Sequence, residues 1–132
     1  MGPAERGGRI AAEVIPNVKK ATLRCVVLKN VEPGSIVSTD ELMSYGLQDG
    51  DGYKHGTVRH GDNEWSYYDY RYDAIHNTNR VESFWKLSKK SVASTHIHFS
   101  AKHATRYLGE FSFRSNHRAM ANAMFNLSIA AL

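Results

Sequence analysis

The stretch that most limits what this chain can fold into runs from His76 to Lys90, HNTNRVESFWKLSKK. Its polar opening gives way to apolar residues at helical spacing. Val81, Phe84, Trp85 and Ser88 stand at i, i+3, i+4 and i+7, so three large apolar side chains share one stripe that needs a core to cover it. Asn79 suits an N-cap and Glu82 follows three residues later, which reads as a capping box. Glu82 and Lys89 are separated by nearly two helical turns, so they face one way, about 10.5 Å apart along the axis. A carboxylate and an ammonium held like this suit a phosphodiester, the acid on a metal and the lysine on a phosphate. The same residues admit a plainer reading. Glu82 can complete the cap or pair with Lys86 at i+4, and Lys86, Lys89 and Lys90 can form a solvated face.

Around this helix the pattern is α/β. Gly8–Pro16 reads as a strand ended by its proline, after a loose, Gly/Pro-rich start. Asn17 can cap a helix from Val18 to Val31, with Leu23, Val26, Val27 and Val31 as its buried stripe. Pro33-Gly34 breaks that helix, and Ser35–Thr39 is a short β-branched strand with Asp40 at its carboxyl end. Strand, helix, strand over this span is a βαβ unit, so the two strands are expected in one sheet. Glu41–Tyr45 reads as one or two helical turns and Gly46–Gly52 as a loop. Thr57–His60 reads as a strand, Gly61–Asn63 as a turn, and the aromatic run Trp65–Tyr72 as a strand or extended segment. Ser91–His98 reads as a connection. Ser100 can cap a helix from Ala101 to Arg114, in which Ala104, Tyr107, Leu108 and Phe111 recur at helical spacing. Met120, Ala123, Met124, Leu127 and Ala131 place a further stripe in the tail. No repeat, low-complexity tract or linker divides residues 1–132, so one domain is expected.

Composition narrows the class. Hydrophobic residues at 42% and charged residues at 23% fit a globular domain rather than a disordered one. A net charge of +4 permits an anionic partner such as nucleic acid. The single cysteine, Cys25, excludes an internal disulfide and a Cys-rich zinc site, and its helical pattern suggests a small buried residue. No apolar run reaches membrane-spanning length and no signal-peptide pattern opens the chain, so a cytoplasmic protein away from membranes is expected.

Several side chains are candidates for chemistry on their own. Asp40 ends a strand and begins a polar loop, a usual place for a ligand-binding residue in an α/β sheet, although it can equally cap the turn that follows. His96 and His98 would share a strand face, but nothing supplies further zinc ligands at a recognised spacing. The aromatics of Trp65–Tyr72 could stack on RNA bases, but such clusters more often build strands.

An ordered series of motifs carries a resemblance. It consists of Gly34–Glu41, Val58-Arg59-His60, His76-x-x-Asn79-x-x-Glu82-x-Phe84-Trp85-x-Leu87-x-Lys89, Lys102-His103, and Tyr107-Leu108-x-Glu110-Phe111-x-Phe113-Arg114-x-Asn116. From about Gly7 to about Arg118 the chain resembles the catalytic domain of bacterial insertion-sequence transposases. The group is the ISXO2-like, DDE-type one whose catalytic set is written D, D, E or N, K.

The resemblance implies a ribonuclease-H-like α/β fold, a mixed sheet flanked by helices, here without its N-terminal strand. It maps the second metal-binding acid onto Asp40, the third onto Glu82 or Asn79, and the lysine onto Lys89. It places His60 and His76 near the site, to meet DNA phosphate or to order the acids. Lys86, Lys90 and Arg114, with Arg106 and Arg118, are candidates for DNA backbone. The implied cofactor is Mg²⁺ or Mn²⁺, as two ions roughly 3.5–4 Å apart that activate the attacking oxygen and stabilise the leaving one. The implied partners are DNA, as element ends and target, a second copy, and an upstream transposase fragment. The family's first acid belongs on a strand before Gly8–Pro16, and the only acids ahead of the first helix are Glu5 and Glu13. The expected activity is therefore transposition as the C-terminal part of the enzyme, incomplete alone, with Glu13 a remote substitute. The alternatives are a non-catalytic remnant that binds DNA or transposase, and a decayed reading frame.

Overall fold

A computed structural model describes residues 1–41, 51–95 and 100–123. It forms two compact units, one of Ile15–Glu82 and one of Met1–Val14 with Ser83–Leu132.

The unit of Ile15–Glu82 begins with helix α1, Lys20–Asn30. The Asn17 carboxamide accepts from the Lys19 amide at 3.0 Å and the Thr22 hydroxyl at 2.8 Å, so it closes the turn before the helix. The helix thus starts two residues later than Asn17 as a direct cap would place it. Leu23, Val26 and Val27 form its buried face, as their spacing predicts, whereas Cys25 is exposed, against expectation. Residue 25 falls outside the i, i+3, i+4 stripe that those three residues define.

Strand β1, Ile36–Thr39, is the short β-branched strand expected before Asp40. It pairs in parallel with β2, Lys54–Thr57, in the register Val37↔His55 and Ser38↔Gly56. The Val58 amide extends the ladder to the Thr39 carbonyl at 2.8 Å, and Val58 is wholly buried. The strand expected at Thr57–His60 is therefore displaced toward the N-terminus, and His60–Asp62 forms a 3-10 turn closed by Asn63 in the left-handed region. The turns expected after Glu41, and the loop through Gly50, lie outside the described residues.

A hairpin follows, β3 (Ser66–Asp69) antiparallel to β4 (Ala74–Asn77), with Tyr67 opposite His76 and Asp69 opposite Ala74. β3 falls inside the expected Trp65–Tyr72 segment. β4 includes His76 and Asn77, which by sequence open the approach to the following helix. The inward face carries Tyr67, Asp69, Ala74 and His76, and the outward face carries Tyr68 and Ile75.

Helix α2, Asn79–Thr95, is the organising helix and runs through Ser91–Thr95, where a connection was expected. Its first turn departs from the capping box. The Glu82 amide bonds to the Thr78 carbonyl at 3.1 Å, so Thr78 stands where Asn79 was expected. Phe84 and Ser88 are buried and Val81 and Trp85 half-buried, which matches the predicted stripe.

In the unit containing Met1–Val14, the start of the chain is folded back on itself instead of forming a strand. Glu5 and Arg9, Pro3 and Ala11, and Met1 and Glu13 share backbone hydrogen bonds around a turn at Gly7, whose φ of +71° favours glycine. These bonds take up donors that a strand at Gly8–Pro16 would need for a sheet. Ile10 is buried, and its amide and carbonyl both go to the Asn116 carboxamide, at 2.7 and 3.0 Å. Asn116 ends α3, Ala104–Asn116, which follows a 3-10 turn at Ala101–His103. Ala104 and Leu108 are its buried residues, two of the four expected. A 3-10 segment follows at Arg118–Ala123, and the rest of the tail stripe lies outside the described residues.

Candidate functional site

β1 delivers its polar residues to its carboxyl end. The Thr39 hydroxyl lies 2.9 Å from His55 Nε2 across the parallel pair, and Asp40 follows, half-buried. The carboxylate of the next residue, Glu41, lies over Gly61, where a β-carbon would come within 3.4 Å of its Oε1. The end of β1 and the turn after β2 are thus neighbours.

That same turn carries His60. Its Nε2 lies 3.0 Å from the Thr78 hydroxyl and 3.0 Å from Glu82 Oε1, and the Thr78 hydroxyl donates to the same carboxylate oxygen. Trp65 lies against the imidazole, with ring centroids 5.6 Å apart. Glu82 is therefore engaged by His60 and Thr78, where a pair with Lys86 had been considered. Thr78 itself is buried. Because Thr78 gives its proton to Glu82, the bond between Thr78 Oγ1 and the imidazole calls for a hydrogen on Nε2.

Behind β1 lies a second histidine. His76 is 0% exposed and bonds through Nδ1 to the Ser38 hydroxyl at 2.8 Å. Its Nε2 stands 3.8 Å from Asp69 Oδ2, and Tyr67 stacks on its face at 5.1 Å. Asp69 accepts from the Arg71 amide, Nε and Nη2 at 2.9, 3.0 and 2.7 Å. The Arg71 side-chain hydrogen bonds hold the Asp69 carboxyl below its usual range, against the opposing effect of burial. Burial chiefly pushes the Tyr67 phenol up. Gly56 of β2 allows this packing, since a β-carbon there would sit 2.5 Å from both His76 Cε1 and the Tyr67 hydroxyl oxygen.

Residues 1–116 match the family model described as ISXO2-like transposase domain. The chain belongs to that family. It is similar to an uncharacterized transposase-like protein of Haemophilus influenzae (strain ATCC 51907 / DSM 11121 / KW20 / Rd), 28% identical over 108 residues, which are 82% of this chain and 81% of that protein. No solved structure matches. Membership gives this transposase domain a transposition-related function with DNA as partner. No helix of the described residues is long and apolar enough to cross a membrane.

The remaining residues of the transposase pattern lie as follows. Asn79 is the first residue of α2, with Arg80 next to it. Lys86, Lys89 and Lys90 are exposed on α2, at i, i+3 and i+4, so they share a face. Among the described residues no carboxylate pairs with them. Arg114 pairs with Glu110 one turn earlier at 2.7 Å, and Arg118 donates to the Ser115 carbonyl at 3.0 Å. His96 and His98 lie outside the described residues. Among the described residues no three His, Cys, Asp or Glu side chains stand together as a metal-binding group.

Sequence reasoning missed Thr78, Ser38 and Asp69 as parts of this constellation. Thr78 lies inside the His76-x-x-Asn79 motif, and its hydroxyl beside a cap position was the available signal. Asp69 two residues before Arg71 resembles an ordinary turn, and no local pattern points to its burial beside His76.

Proposed function

We propose that this chain acts in DNA transposition as part of a ribonuclease-H-like catalytic domain spanning residues 1–132. Asp40 and Glu82 are two of its working acids, and Lys89 is its phosphate-binding lysine. The observation that carries this reading is the neighbourhood of the β1 end, the His60 turn and the first turn of α2. Glu41 lies over Gly61, and the adjacent His60 holds Glu82, so the element ends that bear the two family acids meet through one turn. Carboxyl ends of parallel strands are where α/β sheets place ligand-binding side chains.

In this reading Asp40 and Glu82 present oxygen ligands to the divalent ions the family employs, Mg²⁺ or Mn²⁺, and Lys89 meets a phosphate two turns along α2. Asn79 is the alternative for the third ligand. No metal-dependent step is assigned to these residues alone, because no Asp precedes Asp40 and no three-ligand group stands among the described residues. His60 serves Glu82, whose Oε1 lies 3.0 Å from its Nε2, and His76, with no exposed surface, serves the scaffold. Lys86, Lys89 and Lys90, with Arg114 in support, follow the DNA backbone. The working setting is the cytoplasm, with a second copy or an upstream transposase fragment to complete the assembly.

One observation favours a second reading, a non-catalytic chain that binds DNA or a full transposase: the same lack of a three-ligand group. A nicking and strand-transfer assay with Mg²⁺ and with Mn²⁺ separates the two. The 132 residues alone should be inactive. Activity restored by an added upstream fragment and abolished by Asp40→Ala supports the catalytic role. Robust activity from the chain alone would show that another residue, Glu13 first, supplies the third ligand. DNA binding should fall steeply with salt. Lys89→Ala should weaken it alike on every sequence and lower the salt slope by about 1.

A further inference from the structure

We infer that His60, acting with Thr78, is the positioning residue for Glu82. The pair fixes the Glu82 carboxylate with Oε1 toward the protein and leaves Oε2 as the oxygen it presents. This deepens the reading above and rests on Glu82 being a working acid.

A glutamate in the first turn of a helix with an exposed side chain ordinarily samples several rotamers, at an entropic cost when one is selected. Here one donor and one close imidazole nitrogen converge on a single oxygen. His60 Nε2 hydrogen-bonds to Thr78 Oγ1 at 3.0 Å and lies 3.0 Å from Glu82 Oε1, and the Thr78 hydroxyl donates to Oε1. Among the described residues Oε2 has no partner. The donors are themselves fixed. Thr78 is buried, and Trp65 lies over the imidazole at 5.6 Å. The other ring nitrogen, Nδ1, is buried without a hydrogen-bond partner among the described residues. The contact also spans sequence. His60 opens the 3-10 turn after β2 and Glu82 lies in the first turn of α2, so the imidazole ties the helix start to the strand end beside which Glu41 lies. An acid that must act with a partner 42 residues away in sequence, Asp40, gains from having its orientation set before the ligand arrives.

Glutamine at residue 60 can mimic the Nε2 donor and alanine cannot, so rescue separates positioning from a general loss of structure. The measurements are Glu82 side-chain scalar couplings and the imidazole ¹⁵N spectrum of the 132-residue chain. The expected result is a single Glu82 rotamer and a protonated Nε2 in the wild type. Rotamer averaging should appear in His60→Ala and in Thr78→Val, with the order regained in His60→Gln and Thr78→Ser. The backbone amide spectrum away from residues 58–84 should stay unchanged in all four. A Glu82 side chain equally ordered in His60→Ala and Thr78→Val, or already averaged in the wild type, overturns the proposal. If His60→Ala does not fold, Thr78→Val against Thr78→Ser decides alone. Titration with Mn²⁺ keeps this apart from the reading it rests on. A Glu82 ordered through His60 yet not broadened by Mn²⁺ supports the positioning and removes the metal-binding role of Glu82.

Discussion

Replacing Gly56 by alanine tests the packing behind β1. The added β-carbon would sit 2.5 Å from His76 Cε1, 2.5 Å from the Tyr67 hydroxyl oxygen and 2.6 Å from His76 Nδ1. Ordinary contact begins near 3.4 Å, so both rings would have to retreat by about 1 Å. Neither has room to do so freely. His76 is wholly buried and bonded to Ser38, and Tyr67 is stacked on it. Overpacking of this kind costs about 1–3 kcal/mol. Gly56 has no positive φ, so the cost is steric and not a backbone effect. At about 4 °C per kcal/mol for a chain of this size, the melting temperature should fall by about 4–12 °C. Thermal unfolding followed by circular dichroism measures it. Gly109→Ala is the matched control. It lies inside α3 with no heavy atom within 4 Å of the new β-carbon, so it should stabilise by about 0.5–1 kcal/mol. A Gly56→Ala chain that melts at or above the wild-type temperature would refute the close approach of β2 to His76 and Tyr67.

Asp69 has a lowered native pKa, so its contribution is present above the ordinary value of 3.8 and is lost as pH falls below it. Asp69→Asn should therefore be less stable at pH 7 and show a flatter stability curve below pH 4 in urea titrations. Tyr67 has a raised pKa, so its contribution is present below pH 10.0 and is lost as pH rises through the higher native value. Tyr67→Phe should show a shallower alkaline loss of stability above pH 10. Asn116→Ala removes both hydrogen bonds to Ile10 and leaves its buried amide unpaired, which should cost about 1–3 kcal/mol in urea unfolding. A change within about 0.5 kcal/mol, the range of a surface substitution, would show that Asn116 does not hold the first residues to α3.

Features that depend on neighbours a few residues apart are legible in the chain's pattern alone. The stripes of α1 at Leu23, Val26 and Val27, of α2 at Phe84 and Ser88, and of α3 at Ala104 and Leu108 are all buried as their spacing predicts. The β-branched strand before Asp40 was equally legible, because branched residues between Pro33-Gly34 and an acid leave little choice. Tertiary structure decided which elements meet. Strand β1 pairs with β2 and not with Gly8–Pro16, since periodicity reports a buried face but never names the partner that covers it. β4 was hidden because its alternation runs against hydropathy, with His76 inward and Ile75 outward. Ser38, Tyr67 and Asp69 around the ring help make that burial tolerable. The contact of His60 with Glu82 spans 22 residues of sequence and exists only where the turn after β2 meets the first turn of α2. No local pattern carries such a contact, because its energy is realised only when both chain segments are already in place.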